Sequence, residues 1–101
     1  MKTLPLNEPF KVQGGSGWTF TMLERVGDVA LLRKVHPEVP RVAYEVAIIQ
    51  HNPTREIAGK TIEGGESLPG AEAFGRLAWA PPSYAAAREK FDGLVRANGG
   101  A

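Results

Sequence analysis

The two histidines of this sequence, His36 and His51, are the side chains best suited to proton transfer near neutral pH. Each lies beside a loop proline at the end of a predicted strand. A catalytic role would require a nucleophile or a carboxylate within hydrogen-bonding reach, and no familiar motif supplies one. We therefore interpret both as turn or surface residues, with a metal-binding or acid–base role as the alternative.

Three carboxylates, Glu63, Glu66 and Glu72, lie in or beside a segment that is rich in glycine and proline. A pair of carboxylates could share acid–base work or hold a cation. Nothing in the sequence fixes their geometry, so we interpret them as part of a solvated acidic loop. A small enzyme that uses these carboxylates is the alternative that ranks last.

Other chemistry is excluded by composition or by spacing. The chain has no cysteine, which excludes disulfides, thiolate catalysis and cysteine-ligated metals. The Gly-Gly-Ser-Gly run at 14–17 is not followed by Gly-Lys-Ser/Thr, so it predicts a turn and not a phosphate-binding loop. We assign no catalytic residue, no metal ligand and no cofactor.

Basic residues concentrate in the part of the chain that is predicted to form a sheet. Interspersed acids nearly cancel them, and the net charge is +1 from 12 basic and 11 acidic residues. A mixed solvated surface is the simpler interpretation, and contact with nucleic acid is the alternative. The basic residues retained as candidate binding residues are Arg33, Lys34, Arg41, Arg55 and Lys60.

Large aromatic residues lie near the ends of predicted elements. Together with Arg76 they could form an interaction hot spot, because Trp, Tyr and Arg dominate such sites. The simpler alternative is a small core that relies on its aromatics, and it places Phe74 and Trp79 inside the protein. Trp18 is retained as a candidate binding residue.

Alternating apolar residues from Trp18 onward predict a strand, and Gly27-Asp28 predicts a hairpin turn into a second strand over 29–35. This register pairs Val26 with Val29 and Phe20 with Val35. It would place five apolar side chains on one face of the sheet, with Arg33 as a misfit among them. The five are Trp18, Phe20, Met22, Leu31 and Val35.

A third strand is predicted over 41–50, after two prolines that interrupt the sheet at 37–40. Its even-numbered residues from 42 to 48 form one face and its odd-numbered residues from 43 to 49 the other. Residues 51–70 are polar and rich in glycine and proline, which predicts a long loop in which 57–62 form a short strand or a hairpin arm. A helical turn over 71–74 and an extended run to Trp79 follow.

The last element is predicted to be a helix that begins after Ser83, a favourable N-cap residue. Tyr84, Ala87, Phe91 and Leu94 or Val95 recur at helical spacing and make one apolar stripe, while residues 88–90 and 92 face water. Asn98-Gly99 predicts the end of the helix.

These elements predict an α+β fold in which a three- to four-stranded antiparallel sheet packs against one C-terminal helix. We predict a lead-in segment over 1–17 that Phe10 and Val12 anchor, a single domain over 18–97, and a frayed tail over 98–101. No run approaches the length of a membrane span, and no signal-peptide pattern is present. Cytoplasmic localisation without membrane contact is therefore the expectation.

The order Tyr44-Glu45-Val46, a polar loop, Phe74-Gly75-Arg76-Leu77-Ala78-Trp79 and a closing helix resembles small uncharacterised proteins of phages and prophages. Those proteins share an aromatic-Gly-x-x-Ala-Trp run before the helix. The resemblance covers roughly residues 18–95 and implies a mobile-element origin without an established activity.

The same stretch is similar to the WGR domain, in which an aromatic-Gly-Arg run separates a strand beginning Tyr-x-Val from a helix. This resemblance implies binding to DNA ends or to partner domains. Here Phe74 stands in place of the Trp, and Ala78 replaces the glycine that follows the Arg by two residues. Only Gly75 and Arg76 are carried over as candidate binding residues.

The functional prediction is a non-enzymatic module, of phage or other mobile-element origin, that binds a macromolecule of a host or phage complex. A protein partner ranks first, and a WGR-like nucleic-acid-binding domain is the main alternative. The chain is predicted to be a monomer, or a homodimer that pairs through an edge strand.

Overall fold

The computed structural model of the protein describes residues 3–12, 17–70 and 74–97. Within these ranges the protein has an antiparallel main sheet and one helix, which confirms the α+β class. The strands are β1 (Pro9–Lys11), β2 (Thr19–Val26), β3 (Val29–His36), β4 (Val39–Ile48), β5 (Gln50–Asn52), β6 (Arg55–Ile57), β7 (Lys60–Ile62), β8 (Gly65–Ser67) and β9 (Ala78–Trp79). The main sheet has five strands in the order β1-β2-β3-β4-β9, because short strands join both edges of the predicted core.

The hairpin of β2 and β3 turns at Gly27-Asp28, and Val26 pairs with Val29 as predicted. Gly27 has φ +60°, a conformation that glycine adopts without steric cost. Beyond this point the predicted register is wrong, because a bulge between Met22 and Glu24 inserts one extra residue into β2. Phe20 therefore pairs with Lys34, and not with Val35.

The bulge divides the predicted apolar face between the two sides of the sheet. Phe20 and Met22 pack with Leu32 on one side, whereas Leu31 belongs to the cluster on the opposite, helix-covered side. Arg33 and Val35 follow Leu31 on the helix side by strand alternation, and both are exposed. The predicted common face of five residues, with Arg33 as a misfit, is therefore wrong.

Strand β4 begins at Val39, two residues earlier than predicted, and ends at Ile48. The prolines do not interrupt the sheet here, because Pro37-Glu38 forms the hairpin turn and the pairing of β3 with β4 is irregular around Pro40. A bulge tolerates a residue that cannot donate to the ladder. The predicted alternation is confirmed: Tyr44, Val46 and Ile48 face the helix.

Helix α1 (Tyr84–Ala97) covers one side of the sheet. Ser83 Oγ accepts the Ala86 N–H at 3.1 Å, which confirms the predicted N-cap. Ala87 and Phe91 are buried against Leu31 and Val46, as the apolar stripe predicted. The predicted helix end and tail at 98–101 lie outside the described residues.

Three helix residues that were predicted to face water, Arg88, Lys90 and Asp92, are instead half-buried, whereas Glu89 is exposed. Arg88 forms a bidentate ion pair with Glu24 of β2, with one oxygen 3.1 Å from Nη2. Lys90 Nζ lies 4.3 Å from the centre of the Trp79 ring. For Arg88 and Lys90 the prediction failed because long cationic side chains bury their stems against neighbouring apolar surface.

The other side of the sheet is covered by non-helical segments. Leu4, Phe10, Val12 and Leu68 pack over the Phe20 cluster, which confirms Phe10 and Val12 as anchors. Of the turn predicted over 14–17, only Gly17 lies among the described residues.

Phe74 is 43 % exposed, so its predicted core position is wrong. It precedes a tight turn in which Gly75 has φ +89° and donates its N–H to the Ala78 carbonyl at 2.7 Å. Trp79 in β9 is half-buried in the helix-side cluster. The helical turn predicted over 71–74 falls largely on 71–73, outside the described residues.

The helix in the described part of the chain lacks the length and the apolar character that crossing a membrane requires.

Candidate interaction surface

Residues 50–67 form a two-stranded ribbon in two steps, which we call the arm. Strand β5 pairs with β8, and further out β6 pairs with β7, both antiparallel. Residues 57–62 therefore belong to a hairpin, which was one of the two structures predicted for them. The prediction of a long loop over 51–70 is wrong for most of that range, because β5 pairs with β8 and β6 with β7 there. These strands form although their residues have low strand propensity.

The tip of the arm is the dipeptide Ala58-Gly59. Both residues have positive φ, +51° and +79°, as a two-residue hairpin loop of the primed type requires. Glycine adopts this conformation without strain, whereas alanine does so rarely. The turn sets the register of β6 against β7, in which Ile57 pairs with Lys60.

The register gives the two faces of the arm different chemistry. Residues directly opposite each other in an antiparallel pair project to the same side. Arg55 pairs with Ile62, and Ile57 pairs with Lys60, so these four share one side. We call this set the arm face; Glu56 and its partner Thr61 lie on the other side.

Every residue from 51 to 63 is exposed. Ile57 retains 50 % and Ile62 retains 43 % of its accessible surface. Burying an isoleucine side chain stabilises a protein by about 1.5–3 kcal/mol, and these two contribute little of that to the fold. Neighbouring exposed aliphatic residues on a structured element are typical of interaction sites.

The base of the arm is fixed to the sheet by an ion pair between Arg25 of β2 and Glu66 of β8. Arg25 Nη1 and Nη2 lie 2.7 and 2.6 Å from the two carboxylate oxygens of Glu66. The Leu4 backbone N–H donates to Glu66 Oε1 at 3.0 Å. The Glu66 side chain is only 8 % exposed, and Arg25 lowers the pKa of Glu66 to about 2.

A second contact at the base joins β5 to the turn of the first hairpin. His51 Nε2 lies 2.8 Å from Asp28 Oδ1, and Arg25 Nη2 lies 3.3 Å from the same oxygen. His51 therefore has the carboxylate partner that no sequence motif indicated. The pair is about half exposed on both sides, as expected for a surface contact.

The outer and inner strand pairs of the arm meet at Gly64, which is buried directly after the exposed Glu63. A Cβ atom at this position would overlap the carbonyl oxygen of Asn52 and the backbone of Pro53 and Thr54. Gly64 also donates its N–H to Thr54 Oγ1 at 3.0 Å. Only glycine allows this close approach of two backbone segments.

The structure divides the predicted binding residues among several places. Arg55 and Lys60 come together on the arm face, whereas Arg33 and Arg41 are exposed on the main sheet. Arg76 is exposed in the turn between Phe74 and β9. Only the pair on the arm shares its surface with exposed isoleucines.

Lys34 and Trp18 are occupied by structural contacts. Lys34 Nζ donates to Glu45 Oε1 at 3.3 Å and lies 5.1 Å from the centre of the Trp18 ring. Glu45 is 4 % exposed, and its burial raises the pKa of its carboxyl group. The Trp18 ring also contacts His36 edge-on at 5.2 Å. We therefore place Lys34 and Trp18 in the packing of the sheet and not on a binding face.

His36 lies at the turn between β3 and β4, in agreement with its interpretation as a turn residue. Its Nδ1 accepts the Glu38 backbone N–H at 3.0 Å.

The carboxylates Glu63 and Glu66 do not lie together in the described part of the chain. Glu66 is committed to Arg25, Glu63 is exposed on the arm, and Glu72 lies outside the described residues. Within ranges 3–12, 17–70 and 74–97, no three His, Asp or Glu side chains converge as metal ligands would.

Ile57 and Ile62 are the members of the arm face that sequence analysis did not select. Their signal is present in the sequence, because two isoleucines flank an Ala-Gly dipeptide in an otherwise polar stretch. Antiparallel pairing about that dipeptide places both on the side of Arg55 and Lys60.

Comparison with protein-family models gives no match, and comparisons with curated proteins and with solved structures give no significant similarity. The resemblances to phage proteins and to the WGR domain therefore stay predictions.

Proposed function

We propose that this protein is a non-enzymatic binding module and that the arm face is its contact surface for another protein. The observation that carries this proposal is the placement of two exposed isoleucines and two cations on one side of a structured ribbon. The phage or mobile-element origin remains part of the proposal through the sequence resemblance alone.

The arm is fixed to the protein at its base and is exposed along its outer half. Its base uses the best-buried carboxylate–guanidinium pair, Arg25 with Glu66, while its outer half buries none of its own residues. A ribbon that is fixed at the base loses less conformational entropy on binding than an unstructured loop would. This arrangement suits a preformed binding element.

Charge favours a protein partner over nucleic acid. Residues 50–67 contain two basic residues, Arg55 and Lys60, against the three carboxylates Glu56, Glu63 and Glu66. Affinity for a phosphate backbone grows with the number of phosphates that cations neutralise, and two cations give little. Isoleucines flanked by cations instead match an apolar cleft with an acidic rim.

The test is quantitative affinity capture, with nuclease treatment, from a lysate of the cells that make this protein. We expect the double variant Ile57→Asp/Ile62→Asp to lose the proteins that the unaltered protein captures, with at least a tenfold loss of affinity for each purified partner. The matched control is Glu56→Ala/Thr61→Ala on the other side of the same ribbon, which should capture them normally. Equal capture by both double variants would remove the arm face from the proposal.

Nucleic acid is the second candidate, and the shape of the arm is the observation that favours it. The major groove of duplex DNA admits a two-stranded ribbon, and Arg55 and Lys60 would face the bases or phosphates from one side. Captured material that nuclease treatment removes, and that Arg55→Ala/Lys60→Ala no longer retains, would favour this candidate over the first.

A further inference from the structure

The helix side of the sheet extends beyond the start of α1. At its first turn, the Tyr84 ring packs edge-on against Tyr44, with the ring centres 5.6 Å apart. Further along α1, Ala87 and Phe91 cover Leu31 and Val46. Strands β3 and β4 continue past Tyr44 to their shared turn, and no described helical residue covers that end.

The uncovered end is apolar and carries a positive charge. Val35 of β3 and Val42 of β4 lie on the helix side by strand alternation, and both are exposed, as is Tyr84. Arg33, which pairs with Tyr44, lies on the same side and is also exposed. We call these four residues, Arg33, Val35, Val42 and Tyr84, the sheet-end patch.

We infer that the sheet-end patch binds an amphipathic helix of another protein whose apolar stripe is flanked by carboxylates. A helix on this surface would extend the layer that α1 already forms over the same sheet. Carboxylates on its flank would meet Arg33, which is exposed on this side of the sheet. They would also meet the first turn of α1, which holds no acidic residue to offset the positive end of the helix dipole.

Two other occupants fit the patch less well. Addition of a strand to the neighbouring edge of β4 is disfavoured by Pro40 and by the bulge beside it, since both are features that block edge pairing. A second copy docked patch to patch would bring Arg33 of both copies towards one small interface. Like charges across such an interface oppose association.

This inference does not depend on the arm. The isoleucines of the arm belong to residues 50–67, whereas the patch lies on β3, β4 and the first turn of α1. One surface can therefore fail its test while the other passes.

The test uses a synthetic helical peptide of leucine and glutamate, about 18 residues long, which is five helical turns. The matched control peptide has lysine at every glutamate position. We expect the acidic peptide to shift the NMR signals of Val35, Val42 and Arg33, with an affinity that falls as salt is added. The basic peptide should leave those signals unchanged.

Two variants give the proposal its residue-level test. Val42→Asp should weaken binding of the acidic peptide by about tenfold or more. Arg33→Glu should weaken it too and should reduce the discrimination between the two peptides, while Glu56→Ala, on the side of the arm opposite the arm face, should bind as the unaltered protein does. The proposal is overturned if neither peptide binds, if both bind equally, or if the shifted signals lie away from the patch.

Discussion

Replacing Phe91 by alanine is expected to lower the free energy of unfolding by about 3–5 kcal/mol. Phe91 is 1 % exposed and is the largest fully buried side chain of the described core. It joins α1 to Leu31 and Val46 of the sheet, so its loss leaves a cavity between the two layers. A domain of this size has only about 5–15 kcal/mol of stability in total.

Urea denaturation followed by circular dichroism measures this effect. The matched control is Glu89→Ala, an exposed position on the same helix, which should change stability by no more than about 0.5 kcal/mol. A loss below about 1 kcal/mol for Phe91→Ala would mean that the helix contributes little to the core.

The second large effect concerns Glu66 and pH. The pKa of Glu66 is about 2 in the folded protein, lowered chiefly by the hydrogen bonds from Arg25, against 4.5 for an ordinary glutamate. A lowered folded-state pKa stabilises the protein fully above pH 4.5, and this contribution is lost as the pH falls from 4.5 to about 2. Charged hydrogen bonds of this kind contribute about 1.5–3 kcal/mol.

We therefore expect Glu66→Gln to lose about that amount at pH 7 and to lose less on acidification than the unaltered protein does. Denaturation series at pH 7, 4.5 and 2.5 test both parts. Glu63→Gln, at an exposed carboxylate of the same arm, should change stability by no more than about 0.5 kcal/mol. If Glu66→Gln kept the acid sensitivity of the unaltered protein, the Arg25–Glu66 pair would not be its source.

The sequence was sufficient for those elements whose pattern is local. The N-cap at Ser83, the buried positions Ala87 and Phe91, and the two-sided pattern of β4 all follow from spacing along one segment. Physical rules that act within one turn or one strand suffice for such features.

What was not predicted depends on how segments pair. The bulge after Met22 changes the β3 partner of every β2 residue that precedes the bulge. The alternation of apolar and polar residues in β2 does not indicate that an extra residue is inserted there. Phe74 was assigned to the core by residue type, whereas the turn at Gly75 leaves it at the surface. Register and turn geometry outweighed hydrophobicity at both places.

Two of the four residues of the arm face were predicted from the sequence, and the other two depend on strand pairing. Arg55 and Lys60 were selected by charge alone, since a count of cations needs no structure. Ile57 and Ile62 could be added only once the pairing of β6 with β7 had placed them on the same side.

The most direct measurement of the central claim replaces residues 53–64 by Asn-Gly. Asn52 and Gly65 are direct partners across β5 and β8, so a two-residue turn can close the shortened arm. We predict that the main sheet and α1 keep their fold and stability, while capture of the protein partner disappears. A shortened protein that folds and still captures the same partner with unchanged affinity would contradict the account.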